Sequence, residues 1–120
     1  MKNKVIPVLR ILDHKKAVEF YIDWLGFKID WEHKYSENFP MYIQISKEDV
    51  ILHLSEHHGD CNPGSKVMIE IDEIKVYHKI LIDKDYKYNK PGLEKAEWGA
   101  LTVETLDPFG NKIIFFERDN

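Results

Sequence analysis

The hydrophobic pattern of this chain passes through one order of elements twice, and few architectures accommodate such a repeat. Val5 to Leu12 is an apolar run broken only by Arg10, which suits a strand buried on both faces. Asp13 stands where a helix cap would. Ala17, Val18, Phe20, Tyr21, Trp24 and Leu25 then recur at helical spacing before Gly26 ends the helix. Three strand signals follow, Phe27 to Trp31, Met41 to Ser46 and Val50 to Ser55, the last two joined by a turn at Lys47-Glu48-Asp49. The first half, about residues 4–56, reads βαβββ.

Past a loop from His57 to Ser65 rich in turn formers, the order returns over about residues 66–118. A strand spans Lys66 to Ile71, Asp72 is placed to cap a helix carrying Ile74, Tyr77, Ile80 and Leu81, and Tyr86 to Tyr88 reads as a short strand. Ala100 to Thr105 and Lys112 to Glu117 flank Asp107-Pro108-Phe109-Gly110-Asn111, where an early proline and a later glycine favour a tight reversal. The halves share little identity, so what repeats is the order of elements. The expected class is α+β, two βαβββ modules forming a curved mixed sheet within a single domain over residues 1–120.

Neighbours along a strand point to opposite sides. Leu52 and Leu54 therefore oppose His53 and Ser55, Tyr42 and Gln44 oppose Ile43 and Ile45, and Met68 and Glu70 oppose Val67, Ile69 and Ile71. Each half has an apolar back for a helix and a mixed front. Such fronts enclose a concave small-molecule pocket or simply face water, and the pattern fits both.

Composition narrows the classes. Hydrophobic residues at 43% and charged residues at 32% are those of a chain that folds. With 17 basic against 21 acidic residues the net charge is −4, which excludes the basic footprint of a nucleic-acid binder. No apolar run approaches the roughly 20 residues that span a bilayer, and the start reads as a strand, not a signal peptide, so the expected location is cytoplasmic. Cys61 is the one cysteine, in keeping with a reducing compartment, and its setting of Asp60, Asn62 and Pro63 offers no cation to activate it.

Several segments carry a more specific signal: Val5-Ile6-Pro7-Val8-Leu9, Asp13, Ala17-Val18-Glu19-Phe20-Tyr21, Leu25-Gly26-Phe27, Asp49-Val50-Ile51-Leu52, Trp98-Gly99 and Asp107-Pro108-Phe109-Gly110-Asn111. Together, with gaps from about Val5 to Glu117, they resemble the bleomycin-resistance branch of the glyoxalase/dioxygenase (vicinal-oxygen-chelate) superfamily. The Asp-Pro-x-Gly-Asn and Leu-Gly-Phe motifs are general to the superfamily, whereas the Pro-Val-Leu start and the Trp-Gly pair are narrower. The resemblance implies a homodimer with ligand clefts where subunits meet. Pro7 is expected at a strand edge or bend, and the resemblance implies that the N-terminal strand can exchange between subunits.

In metal-using relatives the ligands lie on the first and last strands of each module. The matching positions here are Ile6, Lys66 and Ile114, none of which is a donor for a divalent cation, so no metal or other cofactor is expected. His53, Glu56, His57 and His58 lie close in sequence, but they run out of a strand into a turn, with His57 and His58 pointing apart if extended. The resemblance marks Trp31 and Trp98 as cleft aromatics with Phe39 in the variable loop nearby; each could equally be core. His53 and Ser55 are candidate contacts on one front, while Asp60, Glu70 and Glu104 could attract a cationic, aromatic ligand, with Lys34 and Lys66 offsetting them. The leading expectation is a binder that sequesters a bleomycin-like drug or another amphipathic molecule. The rival is a lyase, isomerase or dioxygenase with an atypical metal, or with acid–base chemistry by His53 and Glu70.

Overall fold

A computed structural model describes residues 3–34 and 36–119. Among them eight strands form two four-stranded mixed sheets. The first comprises β1 (Val8–Arg10), β2 (Lys28–His33), β3 (Tyr42–Lys47) and β4 (Val50–Ser55), in spatial order β1-β4-β3-β2. The second comprises β5 (Lys66–Glu70), β6 (Leu93–Ala96), β7 (Ala100–Leu106) and β8 (Lys112–Arg118), in order β5-β8-β7-β6. In each sheet the first strand runs parallel to the last and the other pairs are antiparallel. The βαβββ order is present twice. No described helix is long and apolar enough to cross a membrane.

Helix α1 (His14–Ala17) begins at Asp13, whose carboxylate accepts from the Lys16 amide at 2.9 Å. It continues without a break as a π-helical segment, Val18–Trp24, a winding that the spacing of apolar residues does not disclose. Phe20 with Trp24, and Tyr21 with Leu25, lie four residues apart and are all buried. Removing a side chain such as Phe20 from water is worth about 1.5–3 kcal/mol. Gly26, at φ +91°, supplies the left-handed turn that ends the segment.

Three expectations need correction. The first strand is three residues long and fully buried on one face only: Leu9 is in the core, while Val8 and Arg10, on the opposite face, are half-buried. Pro7 directly precedes that edge strand, where a proline is expected, its carbonyl accepting from His53 N at 2.9 Å, and β1 pairs with β4. Asp72 does not cap α2 (Ile74–Asp83). Glu73 takes the cap position at φ +59° with no side-chain bond, and the Glu117 carboxylate from β8 accepts from the Glu73 and Ile74 amides at 3.2 and 3.1 Å. Tyr86 to Tyr88 is not a strand. Tyr86 packs on Trp24 and Phe20 at 5.0 and 6.3 Å between ring centres, and the strand falls later, at β6, where alternation is absent because both middle residues are exposed.

One continuous core joins the modules. Trp24 Nε1 donates to the Leu81 carbonyl at 3.0 Å, and the Tyr77 hydroxyl donates to the Leu25 carbonyl at 2.6 Å. The Asp107–Asn111 reversal completes the joint. Asn111 Nδ2 donates to the Arg10 carbonyl and to Asp107, each at 2.8 Å, while its Oδ1 accepts from the Gly64 and Ser65 amides at 3.1 and 3.0 Å. The motif that looked like a turn is a buried clasp between the first strand, the inter-module loop and the last hairpin.

Candidate functional site

Both fronts are open. On the second sheet, alternation directs Lys66 and Met68 from β5, Ile114, Phe116 and Arg118 from β8, and Thr102 and Glu104 from β7 to one side, where they line a cavity of about 590 Å³. Trp98, in the turn between β6 and β7, overhangs it. Gly99 at φ +92° permits that turn, and the indole lies edge-on to Phe116 at 5.4 Å while remaining 57% exposed. The floor is apolar and the rim carries both signs of charge: Glu94 and Glu104 against Lys66 and Arg118.

The first sheet's front is a polar network with an aromatic wall. A bulge in β2 shifts the register between Ile29 and Trp31 and turns both Asp30 and Trp31 to the front. Asp30 accepts from Gln44 Nε2 at 3.0 Å and Ser46 Oγ at 2.9 Å, and these bonds hold its carboxyl below the usual carboxylate range. His53 sits between Tyr42 (Oη to Nδ1, 2.8 Å) and Gln44 (Oε1 to Nε2, 2.9 Å), and partial burial lowers its pKa. Trp31 stacks parallel to Tyr42 with ring centres 6.0 Å apart, and meets His53 edge-on at 5.4 Å. A cavity of about 450 Å³ opens beside this wall, lined by Trp31, His33, Tyr42, His57 and Asp60 among others.

The residues singled out from the sequence thus divide between two faces. Trp31, His53 and Asp60 gather on the first front; Trp98 and Glu104 gather on the second. Glu70 stands beside the second group, ion-paired with Arg118 at 3.2 Å, so within one chain His53 and Glu70 lie on different sheets. Phe39 lies apart, in a shallow recess with Arg10, Leu12 and Glu56. Ser55 is fully buried, its hydroxyl donating to Asp60 at 2.6 Å and accepting from the His57 amide at 3.0 Å, so it shapes the loop and presents nothing to a ligand. His57 and His58 do not diverge; a turn closed by Asp60 N to His57 O stacks their rings at 5.6 Å. Cys61 has Arg10 nearby, yet burial and Asp60 raise its pKa, leaving the thiol unactivated. Asp30, Gln44 and Ser46 were not recognised as a unit in the sequence, since the bulge that joins them has no local signal.

Residues 1–120 match the model of a family described as glyoxalase superfamily protein. The chain belongs to the glyoxalase superfamily. Protein YraH of Bacillus subtilis (strain 168) is 25% identical to it over 119 residues, covering 91% of this chain and 93% of YraH. Two solved structures share its fold. A bleomycin-binding protein complexed with bleomycin superposes with a TM-score of 0.75 at 17% identity, covering 98% of this chain and 100% of that one. A glyoxalase-related enzyme from Clostridium phytofermentans superposes with a TM-score of 0.76 at 20% identity, covering 98% and 96%. The glyoxalase fold therefore accommodates a binder and an enzyme at similar likeness to this chain.

At Ile6, Lys66 and Ile114, three of the four positions matching the superfamily's metal ligands, this glyoxalase-superfamily chain has side chains that do not fit a cation. Ile6 and Ile114 have no lone pair to donate, Ile114 is part of the second cavity's floor, and Lys66 on the same face is an ammonium. Among the described residues no three His, Cys, Asp or Glu side chains are arranged to hold a metal elsewhere.

Proposed function

We propose that this protein is a small-molecule binder of the bleomycin-resistance type, sequestering an amphipathic, cationic and aromatic ligand without a metal. Residues 1–120 act as one domain, and a homodimer brings the front of one subunit's first sheet against the front of its partner's second sheet. The observation that carries this reading is Trp98: an indole 57% exposed, propped by Phe116 over a floor of Met68 and Ile114, with Glu104 within the same cavity. Exposed aromatics over an apolar floor are what a ligand or a second subunit covers. Trp31, His53, Asp60 and Glu70 surround or adjoin the two fronts and contribute stacking and negative charge, while Phe39 offers a ring in the separate recess beside Arg10. Nucleic acid and membranes are not among the partners.

The enzymatic alternative retains one feature, a hydrogen-bonded His53–Tyr42 pair able to exchange a proton with a ligand. Titration of the purified protein with metal-free and with copper-loaded bleomycin, together with sedimentation and analysis of the recovered drug, decides between them. Stoichiometric binding by a dimer with the drug recovered intact is expected. A chemically altered drug, or no binding at any drug concentration tested, would remove the sequestration reading, and a species of about 14 kDa throughout would remove the shared cleft.

A further inference from the structure

With His53 neutral, the network on the first sheet has one consistent arrangement of hydrogens, and it begins at Asp30. An ionised carboxylate only accepts, so the Gln44 amide must direct its NH2 group at Asp30 and its Oε1 at His53. His53 must then carry its proton on Nε2, which leaves a bare lone pair on Nδ1, and the Tyr42 hydroxyl must donate to it. The hydroxyl hydrogen is spent inward and the oxygen offers only a lone pair to the cavity. Its polar neighbour Asp60, in the same cavity, is also an acceptor, and Trp31 provides a flat wall.

We propose that His53 sets the hydrogen-bond polarity of this face through Tyr42: neutral His53 makes it read a planar, donor-rich cation of the amidinium or guanidinium class, and protonated His53 reverses the preference. A proton on Nδ1 turns that nitrogen into a donor, so Tyr42 must accept from it and swing its own O–H toward the ligand, while the new charge repels a cation. The titratable and charged groups around the pair are Arg10 on β1, Asp30 on β2 with Lys28 4.0 Å from it, Tyr42 on β3, Asp60 and Cys61 in the loop after β4, and His33 and His57 lining the cavity. Desolvation keeps His53 below the ordinary imidazole value, so the neutral arrangement prevails at neutral pH. His53 is thus a positioning residue that acts on ligand choice through Tyr42. The proposal rests on the reading that the open fronts bind a ligand, and it names the chemistry of the first front's share.

Three isosteric probes test it: benzamidine, benzamide and benzoate, followed through the indole N–H resonances of Trp31, Trp98 and Trp24. Trp31 reports the first front, Trp98 the second, and the buried Trp24 reports folding. Benzamidine is expected to move Trp31 at neutral pH and to bind at least about fivefold more tightly than benzoate, the worth of roughly one hydrogen bond. Once the pH is low enough to protonate His53, as followed by its own imidazole resonances, benzoate should become the tighter ligand. His53→Phe should abolish the pH dependence with Trp24 unmoved. Tyr42→Phe should remove the discrimination at both pH values, and it decides the matter if His53→Phe perturbs Trp24. Equal or preferred binding of benzoate at neutral pH, a ratio insensitive to pH in the unmutated protein, or no response of Trp31 to any probe overturns the proposal. Bleomycin binding in the absence of any Trp31 response overturns this proposal alone, whereas failure of bleomycin to bind bears on the sequestration reading.

Discussion

Tyr21 and Asp107 stand 86 residues apart in the chain, and the tyrosine hydroxyl donates to the carboxylate at 2.6 Å in a fully buried setting. Burial first, and Asp107 second, push the Tyr21 pKa well above its ordinary value. The same carboxylate also accepts from the Phe109 and Asn111 amides at 2.8 Å, so one buried charge ties the first helical segment to the last hairpin. Tyr21→Phe should cost about 1–3 kcal/mol, the penalty of leaving a buried acceptor one donor short. Urea unfolding measures it, and an unchanged midpoint would show that the bond contributes nothing to the joint.

Asn111 serves more partners than Tyr21. Asn111→Ala leaves the Arg10 carbonyl and the Gly64 and Ser65 amides without their bonds at once. The expected loss is about 3 kcal/mol or more, larger than for Tyr21→Phe. Thermal unfolding of both variants under one condition tests the order, and a smaller loss for Asn111→Ala would contradict the clasp.

Trp98 is expected to separate folding from binding. Its exposure and its position in a turn mean that Trp98→Ala should change stability by no more than about 0.5 kcal/mol. Bleomycin affinity should weaken by about 1–3 kcal/mol if the indole anchors the drug. Calorimetric titration measures the second quantity, and an unaltered affinity would take the indole out of the site.

Glu70 and Arg118 form an exposed pair, so Glu70→Gln should alter stability by about 0–1 kcal/mol. If the carboxylate attracts a cationic ligand, the variant should bind more weakly and its affinity should depend less on salt. A variant with unchanged salt dependence would assign Glu70 to the ion pair alone.

Two groups on the first front give successive steps on the acid side of a pH profile. Desolvation lowers the His53 pKa, so the folded state holds fewer protons than the unfolded state between the lowered value and the ordinary value of about 6.5. Stability is fully present above about 6.5 and declines as pH falls through that window. Asp30 is lowered by its bonds to Gln44 and Ser46, so its contribution is full above the ordinary carboxylate value of about 3.9 and is lost below it. Unfolding midpoints of the unmutated protein and His53→Phe, compared from about pH 8 to pH 5, should diverge only toward the acid end. Parallel curves would mean that His53 titrates as in the unfolded chain.

Most of the element order was legible in the sequence because its causes are local. The strand at Val50–Ser55 follows from alternation that one buried face enforces, and the start of α1 follows from a side chain three residues from the amide it caps. Trp31 and Trp98 were singled out by the resemblance and not by any local pattern. Their division between two fronts was not legible, since it depends on how two sheets lie in one molecule.

The sequence by itself determined the repeated βαβββ order, the turns at Gly26 and Gly110, and the absence of donors at Ile6, Lys66 and Ile114, because propensity, alternation and ligand chemistry belong to residues and their near neighbours. Only the tertiary structure decided that Glu117 caps α2, that Tyr86 leaves a strand pattern to join Phe20 and Trp24, and that a bulge at Asp30 orients Gln44 and through it the proton on His53. Each of these depends on a contact between residues far apart in the chain, and the free energy of such a contact exists only once both partners have been brought together and shielded from water.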